Sequence, residues 1–516
     1  MVFYHVDGRE TNRPNFSWML IGNPVLSIYG ITMPFSMTVS EQQRSFQQPF
    51  NKIGVSPYYK WAKLHLGYRN LSFSQYTLGG HTILGAGAEI NPGKFRFGFM
   101  HGRLLRPVDT NPLLILEPGR YKSPVYKRNG TGFKLGYGTS DNYFDVAYFH
   151  GWDILNSIKD QNQEMVKPAE NAVFSLTTKQ KLSDKYEVGF EFAKSVYTGD
   201  IRSDSVDNKL SGFSNLIKSN ATTLESNVFD TYLGYNSQDF GLKLRVKQID
   251  PGFRSMGTYY IQNDYRNVTI EPRYSFSENK YSLSGSLGWQ KDNLKKTLQY
   301  GTNRKIGSLG FSAAPVKWYR ADINLSNYNI NMRKGLTELD TLMTISQTTR
   351  SFNLNQNLIF TGESLAHIIF ISYNNQLLKD KNKNTAALSD YTSNMWSGSY
   401  LLSVIPKQMN FTVTYNYTSF DLASMKTRVS GPVLTYSSSM LKNSLNLSVS
   451  NAFYKNFLDG EENSKLNIFS VSSSYRISRK QRLRLSIYFH KSEGLMGNTS
   501  SSFAENKGEI GYSYMF

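Results

Sequence analysis

Apolar and polar side chains alternate with a period of two along most of this 516-residue sequence. Side chains of a β-strand point to opposite faces in turn, so such segments predict strands with one apolar and one polar face. Clear examples lie at residues 186–193, 242–247, 411–418, 445–450 and 482–490. The pattern recurs up to the last residue with no helical segment between. It therefore predicts a chain built almost entirely of strands.

The composition separates a membrane barrel from other strand-rich proteins. Hydrophobic residues make up only 39% of the chain, yet aromatic residues reach 14%, with 34 Tyr and 32 Phe. This pairing suits strands that carry one apolar face and two interfacial aromatic girdles. No segment approaches the roughly 20 apolar residues of a membrane-spanning helix, which excludes a helical membrane protein. A closed barrel also satisfies every backbone group in lipid and leaves no such hydropathy signal.

Short polar turns alternate with longer, irregular links. Turns are predicted at residues 91–94, 140–142, 183–185, 237–239, 277–279, 313–315, 361–363, 406–408, 440–442 and 478–480, and long links at 107–126, 153–171, 197–229, 378–395 and 455–465. Bacterial outer-membrane barrels have short periplasmic turns and long extracellular loops. Ten turns predict roughly 20 strands after Pro92, and the region before it is expected to add about two to four.

The predicted fold is all-β: a single large closed antiparallel transmembrane β-barrel of about 24 strands, with a range of about 22–26. Residues 1–57 are predicted to form an N-terminal segment with the first strand or strands, and residues 58–516 the barrel. The polar stretch 41–51 is interpreted as a surface loop or, alternatively, as a segment folded into the lumen or ordered at the rim. Residues 1–12 lack the basic and apolar regions of an export signal, which is expected to be removed or to lie outside this sequence.

No pattern in the sequence predicts catalysis, a cofactor or a metal. There are no cysteines, and the seven histidines lack the spacing of metal ligands. Glycines at 85–87 and 136–138 lack the following helix that a dinucleotide loop requires, and indicate places where a strand bends. Residues 148–153, with His150 and Asp153, are the one place to look for a hydrolase site. Packing of Phe149 and Trp152 in an aromatic belt explains that segment more simply.

The chain is strongly basic, with 58 Lys and Arg against 39 Asp and Glu and a net charge of +19. Because the basic residues alternate along strands, nucleic-acid binding is not predicted. The lumen-facing basic candidates are Lys243, Arg245, Lys247, Arg482 and Arg484, set against Glu187 and Glu191. An open lumen with these residues would favour anions. Alternatively, they pair with acidic neighbours or fill a blocked interior.

The last eight residues carry a recognisable motif. Ile510, Tyr512, Tyr514 and Phe516 fall on one strand face, and the chain stops on an aromatic residue. This ending resembles the C-terminal signal of Gram-negative outer-membrane β-barrels. We expect these four side chains to face lipid. The strand should pair with the one that contains His490 and close onto a strand near the N-terminus.

The ending, the loop asymmetry and the bias toward Tyr, Asn and Lys together resemble outer-membrane barrels of Bacteroidota-type Gram-negative bacteria. The resemblance implies folding by the barrel assembly machinery, with Gly511, Tyr512, Tyr514 and Phe516 as the assembly signal. It also implies outer-membrane lipid and lipopolysaccharide as surroundings, and it allows protein partners in an outer-membrane complex. The segments 29–36 and 76–81 look like family-specific motifs, to which the sequence assigns no role.

A barrel of about 24 strands is wider than a diffusion porin and comparable to the largest transporters, which are plugged. An unplugged pore of this width would leak, so we expect loops, the N-terminal segment or a partner to occlude it. This favours a gated or plugged transport or export channel, or the barrel subunit of a larger complex. The alternatives are a structural or adhesin-type scaffold without conductance, a barrel-type outer-membrane hydrolase, and a soluble or secreted all-β protein.

Overall fold

The computed structural model describes residues 1–11, 13–41, 51–110, 123–205, 217–340, 342, 344–494 and 502–515. These residues contain two single-turn α-helices, α1 (Asp160–Gln163) and α2 (Ala386–Ser389), and a 3₁₀ turn at Leu155–Ser157. No helix in these ranges has the length and apolar character needed to cross a membrane. Almost all of the remaining regular structure is β-strand.

The described residues form 29 strand segments, joined in antiparallel order. The first nine are β1 (Val2–Asp7), β2 (Phe16–Ser17), β3 (Met19–Gly22), β4 (Val25–Ile28), β5 (Ile31–Ser40), β6 (Lys52–Val55), β7 (Tyr58–Tyr59), β8 (Ala62–Ser72) and β9 (Gly79–Ile90). The next ten are β10 (Phe95–Leu105), β11 (Arg128–Gly138), β12 (Tyr143–Asp153), β13 (Glu170–Lys181), β14 (Tyr186–Thr198), β15 (Thr223–Asn236), β16 (Phe240–Ile249), β17 (Tyr265–Phe276), β18 (Tyr281–Asp292) and β19 (Tyr300–Val316). The last ten are β20 (Tyr319–Lys334), β21 (Ser346–Thr361), β22 (Leu365–Asp380), β23 (Tyr391–Val404), β24 (Met409–Leu422), β25 (Met425–Met440), β26 (Leu445–Leu458), β27 (Glu461–Arg476), β28 (Gln481–Gly494) and β29 (Phe503–Tyr514).

The first and last strands pair and close the sheet. β1 runs antiparallel to β29, with Val2 opposite Glu509 and Asp7 opposite Ala504. The amide of Ile510 donates to the carbonyl of Met1 at 3.0 Å, which extends the ladder to the first residue. The other side of β29 pairs with β28, the strand that contains His490. The predicted closed barrel is confirmed, and closure leaves the sheet without a free edge.

Some of the 29 segments are successive parts of one interrupted barrel strand, which we call a stave. β2, β3 and β4 form one stave, and β6 and β7 form another, so the described residues form 26 staves. β3 and β4 pair in succession along one side of β5, while β2 lies just before them against β1. β6 and β7 likewise pair along the other side of β5. The twenty strands predicted after Pro92 are present as β10 to β29. Six staves lie before Pro92, so the prediction of about two to four there was wrong, and the total lies at the upper end of the predicted range. The short, interrupted segments there hid two staves from the alternation pattern.

Nine of the ten predicted turns lie between consecutive strands, but the turn predicted at 313–315 was wrong. These residues belong to β19, and the turn follows at Lys317 and Trp318. The register shifts between Ala313 and Val316, an irregularity that tolerates Pro315 because proline has no N–H for the ladder.

The long link predicted at residues 455–465 was also wrong. β26 and β27 are joined there by a two-residue hairpin at Asp459 and Gly460. Both residues have positive φ, 50° and 95°, the geometry that an Asp-Gly turn favours. The alternation of short turns and long loops therefore fails at this hairpin.

The outer wall of the barrel is apolar. Alternate residues such as Leu483, Leu485, Ile487 and Phe489 of β28 are exposed, although they are large and hydrophobic. Because rows of exposed apolar side chains are unfavourable in water, this surface faces lipid, as in outer-membrane barrels. Ile510, Tyr512 and Tyr514 also lie exposed on this surface, while Phe516 lies outside the described residues.

The described residues pack the inside of the barrel densely along one arc. Among the described residues, the largest fully buried side chains all lie between Thr77 and Asn293. Buried apolar residues in the later strands are alanines, at positions 313, 321, 366 and 452. The barrel therefore has a filled arc around β8 to β17 and a sparsely filled arc around β18 to β29.

Closure can be tested with paired cysteines, since the native chain has none. Asp7→Cys with Ala504→Cys places two thiols on directly opposite residues, within the Cα separation that a disulfide requires. Oxidation should join the two ends of the chain and change its mobility in a denaturing, non-reducing gel. Asp7→Cys with Asn506→Cys, two residues out of register, is the matched control. Equal cross-linking of both pairs would contradict the observed register.

Candidate functional site

Two loops fold into the lumen and form the candidate site. Loop A comprises residues 73–78, between β8 and β9, and loop B comprises residues 250–264, between β16 and β17. Both connect strands at the end of the barrel opposite the short predicted turns. Tyr76 and Leu78 of loop A and Phe253 of loop B are almost completely buried. Loops usually run over the surface, so burial of these two indicates that they narrow the lumen.

Loop A is held by two carboxylates of the wall. Asp230 accepts hydrogen bonds from the Tyr76 hydroxyl at 2.9 Å and from the Arg245 guanidinium at 2.8 and 2.6 Å. Glu191 accepts from Ser74 and, at 3.2 Å, from the Gln75 amide. Burial, and then the charge of Asp230, raise the pKa of the Tyr76 phenol, which therefore stays protonated and donates.

The two carboxylates of the wall need the hydrogen-bond donors that loop A supplies. Glu191 of β14 and Asp230 of β15 are directly opposite each other in the ladder. Like charges in this position are destabilising, by roughly 0.2–1 kcal/mol on open sheets. Arg245 neutralises one of them, and the donors of loop A solvate both. Docking of the loop and stability of this part of the wall are therefore coupled.

Loop B packs on loop A and is anchored to the wall by its backbone. The Ser255 hydroxyl donates to the Thr77 carbonyl at 2.5 Å, and the Gly79 amide donates to the Gly257 carbonyl at 3.0 Å. Asn171 of β13 accepts from the Met256 amide at 3.0 Å and donates to the Arg254 carbonyl at 3.3 Å. These bonds satisfy backbone groups that burial removes from water.

Glycines of the wall make room for the loops. Phe73 of loop A lies over Gly98 of β10 and Gly132 of β11, where added Cβ atoms would be 2.6 and 3.0 Å from its ring. Phe73, Leu78 and Met256 join the wall residue Phe149 in one buried apolar cluster. Burying each of these side chains contributes roughly 1.5–3 kcal/mol. Packing and hydrogen bonds together hold the loops in the lumen.

The predicted basic candidates of β16 lie within this site. Arg245 pairs with Asp230. The ammonium of Lys247 lies 5.3 Å from the centre of the Tyr76 ring and 6.0 Å from that of Tyr265. The ammonium of Lys243 lies 4.6 Å from the ring centre of Tyr232. These three residues therefore contact the filled arc. Glu187 and Glu191 lie on β14, which is separated from β16 by β15.

Arg482 and Arg484 lie elsewhere on the wall, near the start of β28. They alternate with the exposed, lipid-facing residues Leu483 and Leu485, and within the described ranges neither forms an ion pair. Arg484 is directly opposite Gly511 of β29, which has no side chain to crowd it. The structure therefore separates the five basic candidates into two groups.

Sequence reasoning missed loop A as a functional element. Its last residues, Tyr76 to Leu78, open the segment 76–81 that looked like a motif, but the alternation pattern could not place them in the lumen. The wall glycines opposite Phe73 were the available signal. Phe149 was wrongly assigned to the aromatic belt, since it is buried in the lumen cluster. Trp152 stacks on His150 at 4.9 Å, and no group of metal-ligating residues occurs in the described part of the chain.

Comparisons with known proteins found only structural likeness. No protein-family model matches the chain, and no curated protein does. OccAB3 of Acinetobacter baumannii has 12% identity and a TM-score of 0.34, over 75% of this chain and 99% of its own. The ferric enterobactin receptor PfeA of Pseudomonas aeruginosa has 10% identity and a TM-score of 0.39, over 90% and 78%. The P pilus usher PapC has 10% identity and a TM-score of 0.34, over 97% and 94%.

Asp230→Asn combined with Glu191→Gln should loosen loop A, because the bonds from Ser74, Gln75 and Tyr76 lose their charged acceptors. A hydrogen bond to a charged group contributes roughly 1.5–3 kcal/mol. Hydrogen exchange of the amides of residues 73–78 should accelerate at least about tenfold. Asp322→Asn, a carboxylate bonded to Ser312 and Arg320 outside the site, is the control and should leave exchange there unchanged. Unchanged exchange in the double variant would show that packing alone holds the loop.

Proposed function

We propose that the protein is an outer-membrane transport channel whose lumen is narrowed on one arc by loops A and B. The observation that carries this proposal is the contrast between the two arcs of the wall. One is filled by loops that the wall is shaped to receive. The other is lined by small polar side chains and remains accessible to water.

The open arc is lined mainly by uncharged polar side chains, with Arg482 and Arg484 near the start of β28 as charged exceptions. Its inward-facing residues include Ser284, Ser286, Ser308, Ser326, Ser351, Ser372, Ser397, Ser399, Thr414, Asn416, Ser437, Ser448, Ser450, Ser470, Ser472 and Ser486. Many hydrogen-bond across strands, such as Ser397 to Asn416 at 2.8 Å and Thr414 to Ser399 at 2.9 Å. Short hydroxyl and amide side chains leave a wide, wettable wall. Such a surface suits a polar solute that slides without binding tightly at any one point.

The width of the barrel bears on what passes through it. A circular barrel of 26 staves has a diameter of roughly 50 Å at the usual strand spacing and tilt. Loops A and B are too short to span that width, so they narrow the channel without sealing it. This favours a large polar cargo, or a protein partner that occupies the remaining space. The second candidate is therefore the barrel subunit of a larger outer-membrane complex.

The proposal includes the surroundings implied by the C-terminal strand. Tyr512 and Tyr514 lie exposed on the lipid face, where they can be read by the barrel assembly machinery. Lipopolysaccharide then borders the outer part of the wall. No catalytic role is part of the proposal.

Removing the anchor of loop A should increase conductance. Gln75→Gly with Tyr76→Gly removes the contacts of loop A to Asp230 and one of its two contacts to Glu191. The loop should therefore withdraw, and single-channel conductance in planar bilayers should rise about twofold. Ala423→Gly with Ser424→Gly, in the hairpin between β24 and β25, is the matched control and should conduct like the native protein. Absence of conductance in all three proteins would reject the open channel and favour the non-conducting scaffold.

Ion selectivity tests the second group of basic candidates. Because Arg482 and Arg484 have no ion-pair partners in the described residues, an open lumen should prefer anions in a salt gradient. Arg482→Ser with Arg484→Ser should shift the reversal potential toward cations. Arg479→Ser with Lys480→Ser, in the turn between β27 and β28 outside the lumen, is the charge-matched control. A native channel that prefers cations would contradict the assignment.

A further inference from the structure

A groove on the lipid-facing wall lies across β24 to β28. Its cavity of about 460 Å³ is within the usual size range of small-molecule sites. Tyr415, Pro432 and Phe453 form its apolar part, and Lys455, Lys465 and Lys491 form its basic part. None of these residues contributes to the lumen site.

A break in the ladder accompanies the groove. The pairing of β25 with β26 passes from Ser430 opposite Lys455 to Val433 opposite Ala452 in the same register, but Gly431 and Pro432 between them are not paired. Pro432 has no N–H to donate. Gly431 approaches β26 so closely that an added Cβ would lie 1.7 Å from the Phe453 carbonyl oxygen. The wall is therefore distorted where the cavity opens.

The basic part of the groove has more positive than negative charge. Lys455 of β26 and Lys465 of β27 are directly opposite each other, an arrangement that is unfavourable without an anion. Glu462 lies 3.0 Å from Lys455 and 3.5 Å from Lys465, and Glu493 lies 2.6 Å from Lys491. Two carboxylates therefore neutralise only two of the three ammonium charges. The remaining positive charge favours binding of a further anion, and phosphate oxygens are strong hydrogen-bond acceptors for lysine.

The lysines lie at one height in the wall. Each is ten or eleven residues from the short-turn end of its strand, at Leu445, Arg476 and Gln481. With the usual rise and tilt this is about 25 Å, the height of the apolar band of an outer-membrane barrel. The ammonium groups therefore lie where hydrocarbon gives way to the outer headgroups, and the apolar residues lie below them.

We propose that this groove binds one lipopolysaccharide molecule of the outer leaflet. A phosphate of its lipid A contacts Lys455, Lys465 and Lys491, while an acyl chain lies against Tyr415, Pro432 and Phe453. The inference rests on the proposed outer-membrane location and extends it to a specific lipid contact. The three lysines on adjacent strands, joined to a cavity, distinguish the groove from isolated lysines that only extend to the interface.

Binding is measured by titrating purified, detergent-solubilised protein with lipopolysaccharide and counting bound lipids by native mass spectrometry. Lys455→Gln, Lys465→Gln and Lys491→Gln together should weaken binding about tenfold or more. Lys379→Gln, Lys381→Gln and Lys383→Gln, near and in the loop between β22 and β23, form the matched control and should bind normally. Glu462→Gln should strengthen binding, because it removes a competing carboxylate. Heat-modifiable gel migration verifies that each variant is folded.

Equal binding by the native protein and the groove triple variant, or weaker binding by Glu462→Gln, would overturn the proposal. So would preferential retention of phosphatidylglycerol, offered as a competing lipid, since it would identify a different occupant. Conductance of the groove triple variant in lipopolysaccharide-free bilayers keeps the two proposals separate. A native protein that binds the lipid but does not conduct would reject the channel and leave the groove intact.

Discussion

The pairing of β1 with β29 is the constraint on which the rest of the structure depends. In lipid, a backbone N–H or C=O without a partner costs several kcal/mol, so a sheet of this size is stable only when its two edges meet. Closure fixes which face of every strand is inside, because directly opposite residues share a face. The row from Leu483 to Phe489 then faces lipid, and the intervening residues face the lumen. The filled arc, the open arc and the outer groove are consequences of that division.

The filled arc shows how a wide barrel stabilises an interior that it cannot pack with wall residues alone. Glu191 and Asp230 lie directly opposite each other on the adjacent strands β14 and β15. Two carboxylates in this position are unfavourable unless hydrogen-bond donors reach them. Ser74, Gln75 and Tyr76 supply those donors from loop A, and Arg245 supplies the countercharge. The glycines under Phe73 provide the space. Along the open arc, short hydroxyl and amide side chains pair with one another, so that arc requires no inserted loop.

Much of the fold could be predicted from the period-two alternation of apolar and polar residues and from the residue types of the turns. Nine turn positions and the strand pairing at the C-terminus agree with the structure because both depend on local residue preferences. The misses have physical causes. Pro315 looked like a turn residue but lies at an irregularity inside β19, and the Asp459-Gly460 hairpin was hidden in a polar stretch. The N-terminal staves are broken into short segments, which alternation over longer windows cannot detect.

The candidate site could be predicted from the sequence only in part. The sequence by itself determined the all-β class, the apolar outer face, the strand number to within about two, and basic residues on the inward face of β16. Only the tertiary structure decided that Arg245 is neutralised by Asp230, that Phe149 belongs to the lumen, and that residues 73–78 fold inward. The reason is that alternation reports the face of a residue relative to its own strand. The contacts between loop A and β14 to β16 join residues more than 100 positions apart, and they exist only once the barrel has closed.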